Sequence, residues 1–150
     1  MKKISTAEKY YRSALILFAV TALCLGVALS FIGILFYVLS ENGSPFLIAA
    51  AALMVIFLPF IVYYLSLFIY YKKVTLSNIQ KVKLEKTDTS YFRSIGFEVT
   101  VEYNGKMITV TTKHVFSAGI VGVNNLDEYS GKTVQIGLDE NKGEWIVLAL

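Results

Sequence analysis

Two long runs without a charged side chain constrain the fold of this 150-residue chain most. Residues 13–39 and residues 46–71 contain no Asp, Glu, Lys, Arg or His. Each run exceeds the roughly 20 apolar residues that a helix needs to cross the hydrocarbon core of a bilayer. The first run is also longer than the apolar part of a secretory signal, which has about 7–15 residues. The sequence therefore predicts two retained transmembrane helices.

The flanks of these runs predict their orientation. Residues 40–45, SENGSP, form a short polar link with turn-forming residues, which predicts an antiparallel helical hairpin. Basic residues flank only the other end: Lys2, Lys3, Lys9, Arg12, Lys72 and Lys73. Because basic residues in short flanks stay on the cytoplasmic side, we expect a basic cytoplasmic segment over residues 1–12, an external loop over residues 40–45, and both termini in the cytoplasm.

Small residues predict where the two helices pack. They are Ala22, Gly26, Ser30 and Gly33 on the first helix and Ala49 and Ala52 on the second. Small side chains let membrane helices approach closely, because lipid provides no hydrophobic drive for their association. The favoured interpretation is that these residues seal the hairpin. The alternative is that the stripe on the first helix binds a second copy or a larger partner.

The pattern changes after residue 73 to alternating apolar and polar positions, which predicts an all-β domain over residues 74–150. A first strand is expected around Ile79, Val82 and Leu84. Asn104-Gly105 then predicts a hairpin with a two-residue turn. The register of that turn pairs Val101 with Ile108, Val99 with Val110, Thr100 with Thr109, and Glu102 with Met107.

A second hairpin is predicted from residues 134–138 and 145–150, linked by residues 139–143. About five strands in a domain of this length predict a small, partly closed barrel of the SH3-like or OB-like kind. A PH-like barrel capped by a helix is the alternative. No linker separates the second span from this domain, so we expect the domain to lie close to the lipid headgroups.

The connection over residues 114–131 is long for a compact barrel, in which most connections have about 4–6 residues. Its apolar residues predict that it plugs one end of the barrel. The alternative is a partner-binding surface. The candidate residues of that surface are His114, Phe116, Ile120, Val121, Asn124 and Asn125.

The sequence predicts no catalytic residue, cofactor or metal site. His114 is the single histidine and Cys24 the single cysteine, and Cys24 lies inside an apolar run. The carboxylates are spread over turns and outward strand positions, without metal-binding or phosphate-binding spacing. The net charge of +3 comes from the segment beside the first span, which favours contact with lipid over nucleic acid. We therefore expect neither an enzyme nor a small-molecule substrate.

Two runs, FEVTVEYNGKMITV and GKTVQIGLDENKGEWIVL, give the chain a family resemblance. Over about residues 81–147 it resembles the small β domain of an uncharacterised family of bacterial membrane proteins that also have transmembrane helices. The resemblance implies a fold and a setting in the bacterial plasma membrane, and no activity. In that family the domain often lies between spans, whereas both spans come first here.

These observations predict a non-enzymatic interaction or accessory module of a membrane complex. Its expected partners are the lipid bilayer and either a protein partner or a second copy of the chain. Two other hypotheses stay open. One is an immunity protein that protects against a membrane-directed toxin, and the other is a subunit of an oligomeric pore or transporter.

Overall fold

A computed structural model describes residues 3–40, 44–85, 94–117 and 124–150. Its elements are the helices α1 (Thr6–Ser40), α2 (Ser44–Lys73) and α3 (Leu126–Tyr129), and the strands β1 (Ser77–Lys83), β2 (Ser94–Ile95), β3 (Glu98–Tyr103), β4 (Lys106–Thr111), β5 (Phe116–Ser117), β6 (Thr133–Asp139) and β7 (Glu144–Val147). The chain divides into two compact units. The helical unit is Ala14–Leu67, and the β unit comprises Met1–Ser13 and Phe68–Leu150.

In the helical unit, α1 and α2 meet through aromatic side chains. The Phe18 ring stacks on Tyr64 with the ring centres 4.9 Å apart, and Phe36 stacks on Phe46 at 5.0 Å. Early residues of α1 therefore meet late residues of α2, as an antiparallel hairpin requires. Residues 41–43 of the predicted loop lie outside the described residues.

Both long helices expose large apolar side chains along most of their length. Examples are Val27, Phe31, Val38, Ile48 and Val55. Both helices are long and apolar enough to cross a membrane. A continuous apolar surface of this extent is rare on a soluble monomer and is typical of contact with lipid or with a partner.

The β unit contains antiparallel sheets. Strands β1, β6 and β7 form one sheet in the order β1-β6-β7, while β3 pairs with β4 and β2 pairs with β5. The β3–β4 hairpin has the predicted register at all four pairs. Asn104 and Gly105 both have positive φ, as a two-residue hairpin turn requires. The prediction of this hairpin is confirmed.

The first strand contains an irregularity that changes which residues face inward. The register of β1 against β6 shifts between Ser77 and Gln80, and Asn78 has a φ of 46°. This bulge leaves Ile79 exposed, because an extra residue reverses the alternation of side chains. The strand exists where the sequence predicts it, but Ile79 does not enter the core.

The predicted barrel, whether SH3-like, OB-like or PH-like, does not close among the described residues. Backbone ladders leave three separate sheets. Strand β7 meets the residue after β4 only in the isolated bridge between Thr112 and Trp145. Strand β3 is joined to β1 through a side chain: the Gln80 amide donates to the Glu102 carbonyl at 2.6 Å and accepts from its N–H at 3.0 Å. Closure would need continuous ladders at both places.

The core of the β unit lies between these sheets. Its fully buried side chains include Leu84, Phe97, Phe116, Ile136 and Ile146. The rings of Phe97 and Phe116 meet edge to face with centres 5.0 Å apart. At about 25 cal/mol per Å² of apolar area, such residues supply most of the favourable free energy of folding of a domain this small.

Candidate functional site

Within the β unit, the residues at the start of α1 form hydrogen bonds with residues 147–149 near the end of the chain. Three contacts do this: the Ala149 N–H donates to the Ile4 carbonyl at 2.7 Å, Ser5 forms an antiparallel bridge with Leu148, and the Thr6 hydroxyl donates to the Val147 carbonyl at 2.9 Å. Ser5 and Thr6 are buried as a result. The predicted basic segment over residues 1–12 therefore contributes an extended piece to the β unit before the helix begins.

Ser5 also determines where α1 begins. Its hydroxyl accepts a hydrogen bond from the N–H of Glu8 at 3.0 Å, which satisfies one of the free amides of the first helical turn. The helix therefore starts at Thr6, seven residues before the predicted span over residues 13–39. Glu8 lies in the first turn, where a negative charge is favourable.

Two neighbouring tyrosines at the end of α2 form hydrogen bonds with residues beside the β6–β7 turn. The Tyr70 hydroxyl donates to the Asp139 carboxylate at 2.8 Å, and the Tyr71 hydroxyl donates to the Glu144 carboxylate at 2.8 Å. Hydrogen bonds to ionised acceptors are about twice as strong as neutral ones. The Tyr71 ring also stacks on Tyr11 of α1, with the ring centres 5.2 Å apart.

Two lysines complete this cluster. Lys113 forms an ion pair with Glu144 at 2.7 Å, and the Lys142 ammonium lies 4.0 Å from the centre of the Tyr70 ring and 4.8 Å from that of Tyr71. Burial by itself would raise the pKa of Glu144, but hydrogen bonds from Lys113 and Tyr71 and the charges of both lysines outweigh it. The pKa of Glu144 is therefore held below its ordinary value.

A cavity of about 480 Å³ lies beside this cluster, within the β unit. The N-terminal segment, the end of α2 and strands β1 and β6 all contribute to its wall. Its lining residues are Lys3, Ser5, Glu8, Tyr71, Val74, Thr75, Leu76, Ile79, Gln135 and Leu148. We call it the helix-end cavity. Its volume lies within the range of about 300–1,000 Å³ that is usual for ligand pockets.

The helix-end cavity combines two opposite charges with an apolar wall. Lys3 and Glu8 supply the charges, and Val74, Leu76 and Ile79 supply apolar surface. In the part of the chain that the structure describes, Lys3 and Glu8 form no ion pair with each other. The wall of the helix-end cavity therefore presents both signs of charge.

A second cavity, of about 420 Å³, opens between the two β hairpins. Its lining residues are Tyr103, Ile108, Leu138, Glu140, Gly143 and Trp145. The Tyr103 and Trp145 rings meet edge to face at 6.2 Å. This cavity has one acidic residue and no basic residue in its wall, so it offers less varied chemistry than the helix-end cavity.

The described part of the predicted partner-binding loop is only partly at the surface. Phe116 and Asn124 are fully buried, whereas His114 and Asn125 are exposed. The Asn124 amide donates to the carbonyls of Thr6 and Val115 at 2.6 and 3.2 Å, and Asn125 caps α3. Ile120 and Val121 lie outside the described residues. The loop's role as a plug or as a binding surface stays a prediction.

The predicted packing residues fall on different faces of the helices. Ala22 and Gly33 are buried on α1, and Gly26 and Ser30 are half-buried beside them. The Gly26 backbone lies against Met54, and that of Gly33 lies against Phe46 and Leu47. On α2, however, Ala49 and Ala52 are exposed and Ala50 is buried. At 3.6 residues per turn, Ala50 shares a face with Leu47 and Met54. The role of the predicted small residues in sealing the hairpin stays a prediction.

Within the described ranges, no group of three or more His, Cys, Asp or Glu residues is placed to hold a metal ion. The buried or half-buried carboxylates of Asp139 and Glu144 accept hydrogen bonds from tyrosines, which explains their placement structurally. The expectation that the chain is not an enzyme stays a prediction.

Sequence reasoning missed the helix-end cavity and the tyrosine cluster. One local signal was present for the first: Ser5 followed three residues later by Glu8 is the pattern of a capping box. It would have predicted a helix from Thr6 and an extended segment before it. The partners of Tyr70 and Tyr71 lie 69 and 73 residues away in sequence, and no local pattern predicts them.

Comparison with protein-family models, with curated proteins and with solved structures gave no match for this chain. The resemblance of residues 81–147 to a family of bacterial membrane proteins therefore gains no support.

Proposed function

We propose that this protein is a membrane-anchored, non-enzymatic module whose β unit binds a protein partner or assists a membrane complex. In this proposal α1 and α2 form a transmembrane hairpin in a bacterial plasma membrane. Both ends of the chain and the β unit lie in the cytoplasm. The basic residues on the two cytoplasmic flanks support this orientation.

The apolar surface of the helical unit supports the membrane part of the proposal. Side chains such as Leu58 and Val62 near the middle of α2 are more than half exposed. In water that exposure would favour aggregation, whereas in hydrocarbon it is favourable. The described helical unit carries no charged side chain that would oppose insertion.

The observation that carries the proposal is the attachment of the β unit to both helix ends. Ser5 and Thr6 join it to the start of α1, and Tyr70 and Tyr71 join it to the end of α2. A flexible linker would let a tethered domain rotate freely. Here the helix ends, residues 6–13 and 68–73, belong to the β unit itself, and we propose that this unit presents one face to a partner at the membrane surface.

The topology is tested with reporter enzymes fused after Leu150 of the full chain. We expect a reporter that is active only in the cytoplasm to be active, and one that is active only outside the cell to be silent. An active external reporter would disprove the cytoplasmic placement of the β unit. Resistance of the protein to alkaline extraction checks insertion independently.

The interaction is tested by photo-crosslinking in native membranes. Met107 is the most exposed large apolar side chain of the described β unit, at 68%, and Thr111 lies on the same strand and the same face. We expect a photoreactive residue at position 107 to give a discrete crosslinked species, and one at position 111 to give less. If both positions give only monomer, and the protein also migrates as a free monomer after mild solubilisation, the proposed interaction is wrong.

Deletion of residues 74–150 separates this proposal from toxin protection. An interaction module loses its function with the β unit, whereas protection by the spans alone would survive the deletion. No particular contact in the described residues favours toxin protection or a pore.

A further inference from the structure

We infer that the helix-end cavity binds the headgroup of an aminophospholipid from the surrounding leaflet, with its phosphate at Lys3 and its ammonium group at Glu8. This inference rests on the membrane anchoring proposed above. It adds a specific lipid ligand to a protein whose proposed function involves the bilayer as a whole and a protein partner.

The position of the cavity is the first argument. Tyr71 belongs to the last turn of α2, and Val74 directly follows the helix. Consecutive Cα atoms are about 3.8 Å apart, so this wall lies within a few ångströms of the end of the span. In an inserted protein that is the depth of the headgroups, and the first ligand to meet the cavity is a lipid of the inner leaflet.

The charges are the second argument. The cavity wall carries one cationic and one anionic side chain, and within the described ranges they are not paired with each other. A lipid with only negative charge would be attracted by Lys3 and repelled by Glu8. A headgroup with a phosphate and a primary ammonium satisfies both, and its N–H groups can donate to the Glu8 carboxylate.

The third argument is that the cavity wall has polar groups for the headgroup of such a lipid and apolar surface for its glycerol and acyl carbons. The Thr75 hydroxyl and the Gln135 amide supply further hydrogen-bonding groups, while Val74, Leu76 and Ile79 supply apolar surface. The bulge at Asn78 turns Ile79 outward, where it is 55% exposed. Apolar surface beside a polar pocket suits the glycerol and the first acyl carbons of a lipid.

The experiment measures lipid retention by the purified full chain. The protein in mild detergent is mixed with equal amounts of phosphatidylethanolamine, phosphatidylcholine and phosphatidylglycerol, and bound lipid is counted by native mass spectrometry. We expect phosphatidylethanolamine to be retained about three- to tenfold over the other two, as one charge-assisted hydrogen bond in a partly exposed site provides. Phosphatidylcholine has no N–H to donate, and phosphatidylglycerol has no cation.

Matched variants assign the two contacts. Lys3→Gln should lower the retention of all three lipids, because each has a phosphate, and Glu8→Gln should remove the preference for the ethanolamine lipid over the other two. The controls make the same changes outside the cavity: Lys9→Gln is in the same basic segment, and Glu98→Gln is an exposed carboxylate on β3. Both controls should keep the wild-type retention and the wild-type preference.

Three results would overturn the inference. They are equal retention of the three lipids, an equal loss of retention in Lys9→Gln and Lys3→Gln, and displacement of the lipid by an equal concentration of soluble phosphoethanolamine. Resistance to alkaline extraction is measured on the same variants. A protein that stays in the membrane without lipid preference contradicts this inference alone, whereas one that leaves the membrane contradicts the proposed function.

Discussion

The helical unit and the β unit differ in what holds them together and in what they expose. In the helical unit, α1 and α2 meet through rings such as Phe18 and Tyr64, and most large apolar side chains point outward. In the β unit, strands form hydrogen-bonded ladders around buried residues such as Ile136. Large apolar side chains therefore lie on the surface of the helical unit and in the core of the β unit.

This difference teaches that exposure has a different meaning in each unit. An exposed Leu58 and an exposed Met107 have similar accessible fractions, 59% and 68%. If the helical unit lies in lipid, Leu58 is already in its preferred solvent, while Met107 faces water. Substitutions at matched exposed positions in the two units therefore test whether each side chain is surrounded by lipid or by water.

The largest effect is expected from truncating a core residue of the β unit. Ile136→Ala should destabilise this unit by about 2–5 kcal/mol, because it removes buried methyl groups and leaves a cavity. Leu58→Ala should change its stability by less than about 0.5 kcal/mol. Denaturant unfolding in detergent, followed by the fluorescence of the single tryptophan, Trp145, measures both. Equal effects of the two variants on the stability of the β unit would show that burial does not distinguish Ile136 from Leu58.

A charge at matched exposed positions tests the solvent directly. Leu58→Lys should oppose membrane integration by about 3 kcal/mol, because Leu58 lies near the centre of the predicted span. Met107→Lys should have little effect, since its side chain faces water opposite Glu102. The fraction of protein that resists alkaline extraction reports the difference. Full integration of Leu58→Lys would argue that this face of α2 does not meet lipid.

The attachment of α2 to the β unit is tested at its buried tyrosine. Tyr71→Phe keeps the ring and removes the hydroxyl that donates to Glu144, so we expect a loss of about 1.5–3 kcal/mol from the β unit. Tyr63→Phe is the control, because Tyr63 is an exposed tyrosine of the same helix. It should change stability by less than about 0.5 kcal/mol. The same Trp145 signal applies to both variants.

The smallest effect is expected from pH. Because the pKa of Glu144 is held below its ordinary value of 4.5, its contribution to stability is present above that value. It is lost as the pH falls through the lower value of the folded state. The free energy of unfolding of the β unit should therefore fall in this acidic range, and Glu144→Gln should flatten the fall. An unchanged pH dependence in Glu144→Gln would show that other carboxylates control it.

The features predicted correctly from sequence are those that local patterns determine. The long uncharged runs predict two helices, and Asn104-Gly105 with its alternating flanks predicts the β3–β4 register residue by residue. In both cases the residues that specify the element lie within it. Propensity, periodicity and turn geometry agree there, and no distant contact has to be known.

The features missed depend on distant partners. The segment before Thr6 is extended because Ser5 and Ile4 pair with residues about 140 positions later, which its own composition does not indicate. Strand count and domain length predict a partly closed barrel but do not specify which strands pair, and here the Gln80 side chain joins β1 to β3 in place of a backbone ladder. The helix-end cavity follows from the same long-range contacts and was therefore not predictable from local patterns.

The pairing of Thr6 with Val147, 141 positions apart, has a consequence for the order of events during synthesis. Contacts between such distant residues form late, because the intervening chain must exist before they can close. The two apolar helices are complete long before β7 is translated, so they are available for insertion while the first residues still have no partner. The pairing of residues 4–6 with residues 147–149 is therefore among the last steps in the folding of the β unit.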